Sequence, residues 1–184
     1  MPQTYTNDHS PSVLQSYTWR DANNLASYLL PYLQPHMSSI LDVGCGPGSI
    51  TTDLTRKVPK GRVVGVEYVS NPLYGARALA CSKGVTNVKF DVGDIHNLPE
   101  NTFDVVHAHQ VLQHIADPVQ AFKEMWRVVK QGSLILVISH CLADTIMYKA
   151  SGHYICRSFI GLAGYPPLIN HCYINIYINP NVTH

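Results

Sequence analysis

The sequence has few charged residues and no long apolar segment. Charged residues make up 14% of its 184 residues, and the formal net charge is +1, whereas charged residues are about a quarter of typical soluble proteins. A chain this close to neutral has no large electrostatic field to attract nucleic acid or an anionic membrane surface. The longest apolar run, residues 134–138, is too short to span a bilayer. We therefore expect neither nucleic acid nor a membrane among the partners of this chain.

Cysteine and histidine patterns that would indicate a disulfide framework or a metal site are also missing. The five cysteines are odd in number and contain no CxxC spacing. No pair of histidines has the spacing and acidic partner of a metal site, so we predict no metal. Residues 1–12 lack the basic and apolar pattern of a secretory signal. These absences are typical of a protein from a reducing compartment, and we predict a cytoplasmic location.

Short apolar segments alternate with helical patterns over most of the chain. The segments typical of strands are residues 39–43, 62–67, 87–90, 103–108 and 133–139. Helical patterns follow the first, second and fourth of them, with Pro72 and Asp117-Pro118 marking two helix starts. A further helix is predicted from Thr18 to Leu33, and Lys130-Gln131-Gly132 is predicted to be a turn. The alternation predicts an α/β fold: a doubly wound parallel sheet with helices on both faces.

A glycine-rich loop, with the sequence LDVGCGPG at residues 41–48, follows the first predicted strand. In open α/β sheets, ligands bind at the carboxyl ends of strands, where such loops lie. A dinucleotide-binding GxGxxG motif would need glycine at position 49, which is Ser49, and no Gly-Lys-Ser/Thr sequence of a P-loop follows. The carboxylate of Asp42 would repel a pyrophosphate, whereas it would attract a cationic ligand.

Two more acidic residues lie at the ends of the second and third predicted strands: Glu67 is the last residue of the second, and Asp94 follows the third. Glu67 lies about 20 residues after the glycines, where a carboxylate can accept hydrogen bonds from both ribose hydroxyls. Asp94 could accept from an adenine amino group, although a lone aspartate at this point would more simply be a turn residue. Together with Asp42, they predict a site for an adenosyl ligand that carries positive charge.

The motif series resembles that of class I S-adenosylmethionine-dependent methyltransferases. The segments that match are LDVGCGPGS, GVE, VGDIHNLP and FDVVHAHQVLQHIADPVQAFKEMWRVVK, and the resemblance covers roughly residues 5–139. It is strongest to the branch that includes quinone-pathway and secondary-metabolite methyltransferases. The resemblance implies a Rossmann-like fold, S-adenosyl-L-methionine as cofactor, and methyl transfer to a small-molecule acceptor by direct displacement.

The resemblance also implies which residues bind the cofactor. In chain order they are Asp42, Gly44, Cys45, Gly46, Gly48, Glu67, Asp94, Ile95, His109 and Gln110. The glycine loop would hold the methionine part, Glu67 the ribose, and Asp94 with Ile95 the adenine, while His109 and Gln110 would lie near the methionyl group. Cys45 is interpreted as a small filler rather than a nucleophile.

His107 and His109 are the candidates for a catalytic base. Both lie at the ligand end of the fourth predicted strand, and an imidazole can titrate near neutral pH. A structural role for each histidine is the competing interpretation, because position in a fold does not by itself assign chemistry.

Residues 140–184 depart from the pattern and contain only three charged residues. The family continues with a helix and an antiparallel strand pair, so we predict that this pair is missing or replaced; only residues 173–178 alternate as a strand does. We therefore expect a flexible N-terminus (1–17), an S-adenosylmethionine-binding domain (18–139) and a divergent, poorly ordered tail. Loss of the pair would expose an apolar sheet edge, and such edges self-associate.

Two other functions stay open. A truncated, catalytically inactive S-adenosylmethionine-binding protein would have the same glycine loop and the same acidic residues. A dinucleotide-dependent oxidoreductase is disfavoured by Ser49 and Asp42. Cofactor binding separates the first two functions from the third, and turnover on a panel of acceptors separates the enzyme from its inactive form.

Overall fold

The computed structural model describes residues 21–140 and 172–178, with side chains to residue 138. The strands are β1 (Ser39–Val43), β2 (Arg62–Glu67), β3 (Val88–Val92), β4 (Phe103–His109), β5 (Val129–His140) and β6 (Cys172–Ile178). The helices are α1 (Ala22–Leu25), α2 (Ser49–Leu54), α3 (Asn71–Ser82) and α4 (Pro118–Val128). Short 3-10 helices span Leu30–Tyr32, Thr55–Lys57, Ile95–Asn97 and Leu112–His114.

The six strands form one sheet in the order β3-β2-β1-β4-β5-β6. Strands β1 to β5 are parallel, and β6 pairs with β5 in the antiparallel direction. The chain runs outward from β1 to β3 and then returns to place β4 on the other side of β1. This order confirms the predicted doubly wound, Rossmann-like fold, and it opens a crevice beside the carboxyl end of β1.

Two apolar layers cover the sheet, and alternate residues of each strand contribute to them. On one face Ile40 and Val105 pack with Leu29 of the N-terminal segment and Leu54 of α2. On the other face, Leu41, Val43 and their neighbours pack with Phe122, Met125 and Val128 of α4. Because side chains alternate along a strand, Asp42 lies on the same face of β1 as Ile40.

The predicted helix starts at Pro72 and Pro118 are confirmed. Each proline lies in the first turn of its helix, where its missing N–H costs no hydrogen bond. Asp117 caps α4 by accepting from the backbone N–H of Gln120 at 2.9 Å. The end of α3 is followed by Gly84 in the left-handed region, with φ +64°.

The predicted helix from Thr18 to Leu33 is wrong within the described residues. Asp21 caps a single short helix, α1, by accepting from the backbone N–H groups of Asn23 and Asn24. The chain then turns and forms a 3-10 helix at Leu30–Tyr32. Asparagines compete with the helix backbone for hydrogen bonds and Pro31 cannot donate to it, so the apolar spacing alone does not sustain a longer helix.

The predicted turn at Lys130-Gln131-Gly132 is also wrong, because these residues belong to β5. Val129 pairs with Phe103, and the next pair is Leu134 with Val105, so extra residues of β5 bulge between them. Gly132 has φ +74°, a conformation that glycine adopts without steric cost. The sequence pattern of a turn therefore marks a bulge inside a longer strand.

Strand β6 covers part of the outer edge of β5. It pairs with Leu134–His140, which confirms a strand at the predicted place, and among the described residues no strand pairs with the first residues of β5 on that side. The predicted flexible N-terminus lies outside the described residues, as does most of the predicted tail. No helix among residues 21–140 is both long and apolar enough to cross a membrane.

Candidate functional site

The glycine loop turns at the carboxyl end of β1, beside the crevice of the sheet. Gly44, Gly46 and Gly48 have φ angles of +65°, +52° and +73°. The loop is tied to β2, because the N–H groups of Gly44 and Cys45 both donate to the carbonyl of Val66, at 2.9 and 3.1 Å. Three left-handed residues in five positions require glycine, and they bring the backbone itself to the edge of the crevice.

Space as well as backbone conformation explains two of these glycines. A Cβ on Gly44 would lie 2.4 Å from a methyl of Val111, and one on Gly48 would lie 2.7 Å from the Cβ of Ala76. A Cβ on Gly46 would meet nothing within 4 Å. Gly44 and Gly48 therefore allow the loop to pack against its neighbours, whereas Gly46 borders open space.

Glu67 joins the end of β2 to the glycine loop. Glu67 is only 3% exposed. One carboxylate oxygen accepts from the N–H of Gly46 at 3.0 Å, and the other accepts from the N–H of Tyr68 at 2.9 Å. One carboxylate thus binds both an N–H of the glycine loop and the N–H of the residue after β2.

Asp94 and Ile95 follow β3 and lie at the same edge. The Asp94 carboxylate caps the 3-10 helix Ile95–Asn97 by accepting from the N–H of His96 at 3.2 Å, and it also contacts the His96 ring. Ile95 is buried against the α4 layer of the core. Asp94 is therefore a turn residue, in agreement with the simpler of its two interpretations, and at the same time a wall of the crevice.

A cavity of about 250 Å³ lies between these elements. Its polar lining comes from Glu67, Tyr68, Asp94, His96, His114, Asp117 and Gln120. Its apolar lining includes Val43, Val66, Ile95, Val111, Ile115 and Ala121. A mostly apolar cleft with a few convergent polar groups is the usual form of a small-molecule site.

Four of the predicted cofactor residues line this cavity, namely Gly44, Glu67, Asp94 and Ile95. Asp42 lies behind the loop and is 3% exposed. One of its carboxylate oxygens accepts from the Thr51 hydroxyl at 2.6 Å, and the other lies 2.8 Å from Nδ1 of His107. Its carboxylate therefore belongs to a buried hydrogen-bonded cluster at the end of β1.

The two candidate histidines differ in their surroundings. His107 is fully buried, and its Nε2 lies 2.6 Å from the hydroxyl of Tyr28. His109 lies further toward the carboxyl end of β4 and is half-buried; the two rings stand 6.4 Å apart, edge to face. A catalytic base must be able to reach the acceptor. The position of His109 therefore makes it a better candidate for the base than His107.

Gln110, the residue directly after β4, has a strained backbone conformation. Its φ is +58°, an angle that few residues other than glycine adopt, and its N–H donates to the carbonyl of Ile138 at 2.8 Å. Its side-chain oxygen accepts from Gln113 at 2.6 Å. Strained residues of this kind cluster at functional sites, because the surrounding structure holds them there.

Buried negative charge surrounds the loop. Burial raises the pKa of the Cys45 thiol well above its usual value, and the charges of Asp42 and Glu67 raise it further. The guanidinium of Arg77 opposes this shift only weakly. Cys45 is therefore a neutral thiol, consistent with a filler and not with a nucleophile. The two carboxylates make this edge of the sheet suited to a cationic ligand.

Sequence reasoning misses the contribution of α4 and of the N-terminal segment. The sequence marks Asp117 only as a helix start and does not assign His114 or Gln120 to the site, yet all three line the cavity. Nor does any sequence pattern distinguish Tyr28. Only the fold brings these residues close to the glycine loop. Neither their residue types nor their spacing in the sequence predicts that position.

A glycine loop after β1 and carboxylates after β2 and β3, on a sheet of this order, define a nucleoside-binding domain of the Rossmann-like class. Residues 36–159 match the sequence profile described as a methyltransferase domain. This match extends beyond residue 139, the end of the motif resemblance in the sequence. The chain therefore belongs to the methyltransferase family, in its class I, S-adenosylmethionine-dependent division.

Individual relatives agree with this assignment. The chain is 39% identical over 153 residues to an uncharacterised methyltransferase of Schizosaccharomyces pombe, covering 78% of this chain and 54% of that one. It is 34% identical over 114 residues to a demethylmenaquinone methyltransferase of Lactococcus lactis, covering 60% and 45%. The chain thus spans about half the length of the curated relatives it matches.

A solved structure agrees in fold. The crystal structure of a SAM-dependent methyltransferase from Aquifex aeolicus superposes with a TM-score of 0.63 at 23% identity, covering 72% of this chain and 74% of that one. At this identity the similarity shows the fold alone.

Proposed function

We propose that the protein to which this chain belongs transfers a methyl group from S-adenosylmethionine to a small-molecule acceptor. The observation that carries the proposal is the pair of buried carboxylates, Asp42 and Glu67, on either side of a left-handed glycine loop. When bound, S-adenosylmethionine supplies a methyl group on a positively charged sulfur, which passes to an acceptor lone pair and leaves neutral S-adenosylhomocysteine. The carboxylate of Asp42 suits the cationic end of this cofactor, which carries an ammonium and a sulfonium, and the carboxylate of Glu67 suits the hydroxyls of its ribose.

Each predicted residue has a place in this proposal. The loop from Gly44 to Gly48 and Asp42 behind it would hold the methionine part, directly or through water. Glu67 would accept from the ribose hydroxyls, and Asp94 with Ile95 would border the adenine inside the cavity. The protein would mainly align the acceptor with the methyl group and exclude water.

His109 is the residue that we propose as base, for an acceptor that must lose a proton. It is half-buried at the end of β4, next to Gln110, where an acceptor beside the methyl group would lie. An acceptor with a free lone pair would need no base. Loss of turnover in a His109 variant would therefore indicate an acceptor that must lose a proton, and retained turnover would indicate one with a free lone pair.

A small-molecule acceptor is favoured by the relatives. The Lactococcus lactis relative is named for a quinone precursor, demethylmenaquinone. A role in secondary metabolism and a cytoplasmic location are part of the same proposal. The free cysteines among the described residues, Cys45 and Cys81, fit a reducing compartment.

Titration calorimetry with S-adenosylhomocysteine, and separately with a nicotinamide dinucleotide, tests the cofactor. We expect binding of the first and none of the second, because a pyrophosphate would face the charge of Asp42. Turnover is then measured with methyl-labelled cofactor on a panel of quinone, phenol and amine acceptors. Binding without turnover on any acceptor would favour the inactive alternative, and dinucleotide binding would favour the oxidoreductase.

A further inference from the structure

A chain of four buried or half-buried side chains passes behind the glycine loop. Tyr28 contacts Nε2 of His107 at 2.6 Å, Nδ1 of His107 contacts Asp42 at 2.8 Å, and Thr51 donates to the other Asp42 oxygen at 2.6 Å. These residues come from the turn after α1, from β4, from β1 and from α2. These hydrogen bonds therefore link three other elements to the Asp42 carboxylate of β1.

Strand register explains why His107 and Asp42 meet. In the parallel pairing of β1 and β4, Asp42 is the register partner of His107. Side chains at paired positions project from the same face of a sheet. The Asp42 side chain is 5% exposed and the His107 side chain 0%. A carboxylate so removed from water needs hydrogen-bond donors, which His107 and Thr51 provide.

The chemistry of the groups assigns the donors. A carboxylate accepts only, so the His107 Nδ1 must carry the hydrogen that points to Asp42. In a neutral imidazole the other nitrogen, Nε2, then accepts from the hydroxyl of Tyr28. Asp42 thus sets the tautomer of His107, and the hydrogen bond from Tyr28 stabilises that tautomer, so each group donates to the next from the tyrosine to the carboxylate.

We propose that His107 and Tyr28 are positioning residues that orient the Asp42 carboxylate toward the methionine end of the cofactor. His107 does not line the cavity, and both of its ring nitrogens are engaged, so it acts on the cofactor only through Asp42. The inference rests on the proposed function, in which Asp42 holds the ammonium group. It also connects the N-terminal segment around Tyr28 to the affinity of the site.

Two ligands that differ only at the methionine end test the proposal. S-adenosylhomocysteine carries the ammonium group, whereas 5′-methylthioadenosine has the same nucleoside without it. We expect His107→Leu to weaken S-adenosylhomocysteine at least tenfold in calorimetry and to change methylthioadenosine less than twofold. Tyr28→Phe, which removes one hydroxyl, should weaken S-adenosylhomocysteine two- to fivefold with methylthioadenosine again unchanged.

Two further variants separate positioning from general damage. The amide of His107→Asn can replace the Nδ1 donor, so this variant should recover most of the affinity lost in His107→Leu. Ser39→Ala removes a buried hydroxyl from the opposite end of β1, where it donates to the carbonyl of Thr102 at 2.8 Å. It should leave both affinities unchanged. If His107→Leu does not fold, the positioning role is tested by comparing the two affinities of Tyr28→Phe with those of the wild type.

Nitrogen NMR of the imidazole gives an independent reading. We expect a His107 signal with hydrogen on Nδ1 and none on Nε2, and a changed tautomer ratio in Tyr28→Phe. Equal losses of both ligands in the His107 and Tyr28 variants, no loss in either, or hydrogen on Nε2 alone would overturn the positioning role. Failure of the wild-type protein to bind either ligand would instead overturn the proposed function.

Discussion

At the scale of single residues, Glu67 combines two roles that the sequence could not separate. Its carboxylate accepts from the N–H groups of Gly46 and Tyr68, so it stabilises the glycine loop before any ligand arrives. It also lines the cavity, where the proposed ribose would lie. Glutamine keeps the size of the side chain but replaces one acceptor oxygen with an amide nitrogen that cannot accept from these N–H groups, so its effect reaches the ligand through the lost charge and through the loop.

Glu67→Gln is expected to weaken S-adenosylhomocysteine and methylthioadenosine alike. Hydrogen bonds to charged groups contribute roughly 1.5–3 kcal/mol, so both affinities should fall at least about tenfold. Titration calorimetry measures the change, and Asp91→Asn, in an exposed ion pair of β3 with Lys89, serves as the control. Affinities within twofold of wild type for Glu67→Gln would show that the ribose is held elsewhere.

Gly44 and Gly46 are expected to respond differently to alanine. A methyl at Gly44 would collide with Val111, whereas one at Gly46 would enter open space. Gly46→Ala should cost only the left-handed backbone, about 1–2 kcal/mol. Gly44→Ala adds overpacking of about 1–3 kcal/mol. Urea unfolding of both variants compares the two costs, and equal stabilities would contradict the close packing of Gly44 against Val111.

At the scale of elements, Asp104 joins three strands at the end of the sheet opposite the site. One of its oxygens accepts from the backbone N–H groups of Ser38 and Ser39, at 2.7 and 2.9 Å. The other accepts from the ammonium of Lys130 at 2.7 Å. Although partial burial acts in the opposite direction, hydrogen bonds from Lys130 and Ser38 lower the pKa of Asp104 to about 2.

This pKa predicts a loss of stability in acid. A carboxyl group whose pKa falls on folding stabilises the protein above its unfolded pKa, about 3.8, and the contribution disappears as the pH falls toward 2. Allowing for solvent screening, we expect about 1–2 kcal/mol. Urea unfolding at pH 6 and at pH 3 should show a smaller difference for Asp104→Asn than for wild type. An identical pH dependence in the two proteins would refute the assignment.

At the scale of the whole molecule, β6 decides whether the sheet ends in an exposed apolar strand. Its backbone pairs with Leu134–His140 of β5, and Ile176 is the register partner of Leu136. Consecutive N–H groups of a strand point to opposite sides, so Asn175 and Ile176 cannot both donate to β5. Adjacent prolines therefore provide matched variants, one of which breaks a bond to β5 while the other removes only an outward N–H.

We expect one of Asn175→Pro and Ile176→Pro to release β6 and to promote self-association through the uncovered edge of β5. The other should behave as wild type. Sedimentation velocity over a range of protein concentrations distinguishes the two. Two variants that both sediment as wild type would show that pairing with β6 does not protect the sheet edge.

The sequence predicted those features that depend on local chemistry. Alternation of apolar segments and helical patterns indicated the parallel sheet, and Pro72 and Asp117-Pro118 marked the helix starts that the structure confirms. The glycine loop and the acidic residues after β2 and β3 were placed at one edge, because parallel strands share their carboxyl ends. Backbone conformation and strand direction are local properties, so residue types were sufficient to predict them.

Tertiary structure alone decided the rest. The bulge at Gly132 depends on the register of β5 against β4, which no local residue pattern sets. His107 and Asp42 are far apart in sequence, and only the pairing of β1 with β4 makes one the partner of the other. A histidine on a strand has the same sequence signature whether it faces an acceptor or a buried carboxylate, because its surroundings come from other strands.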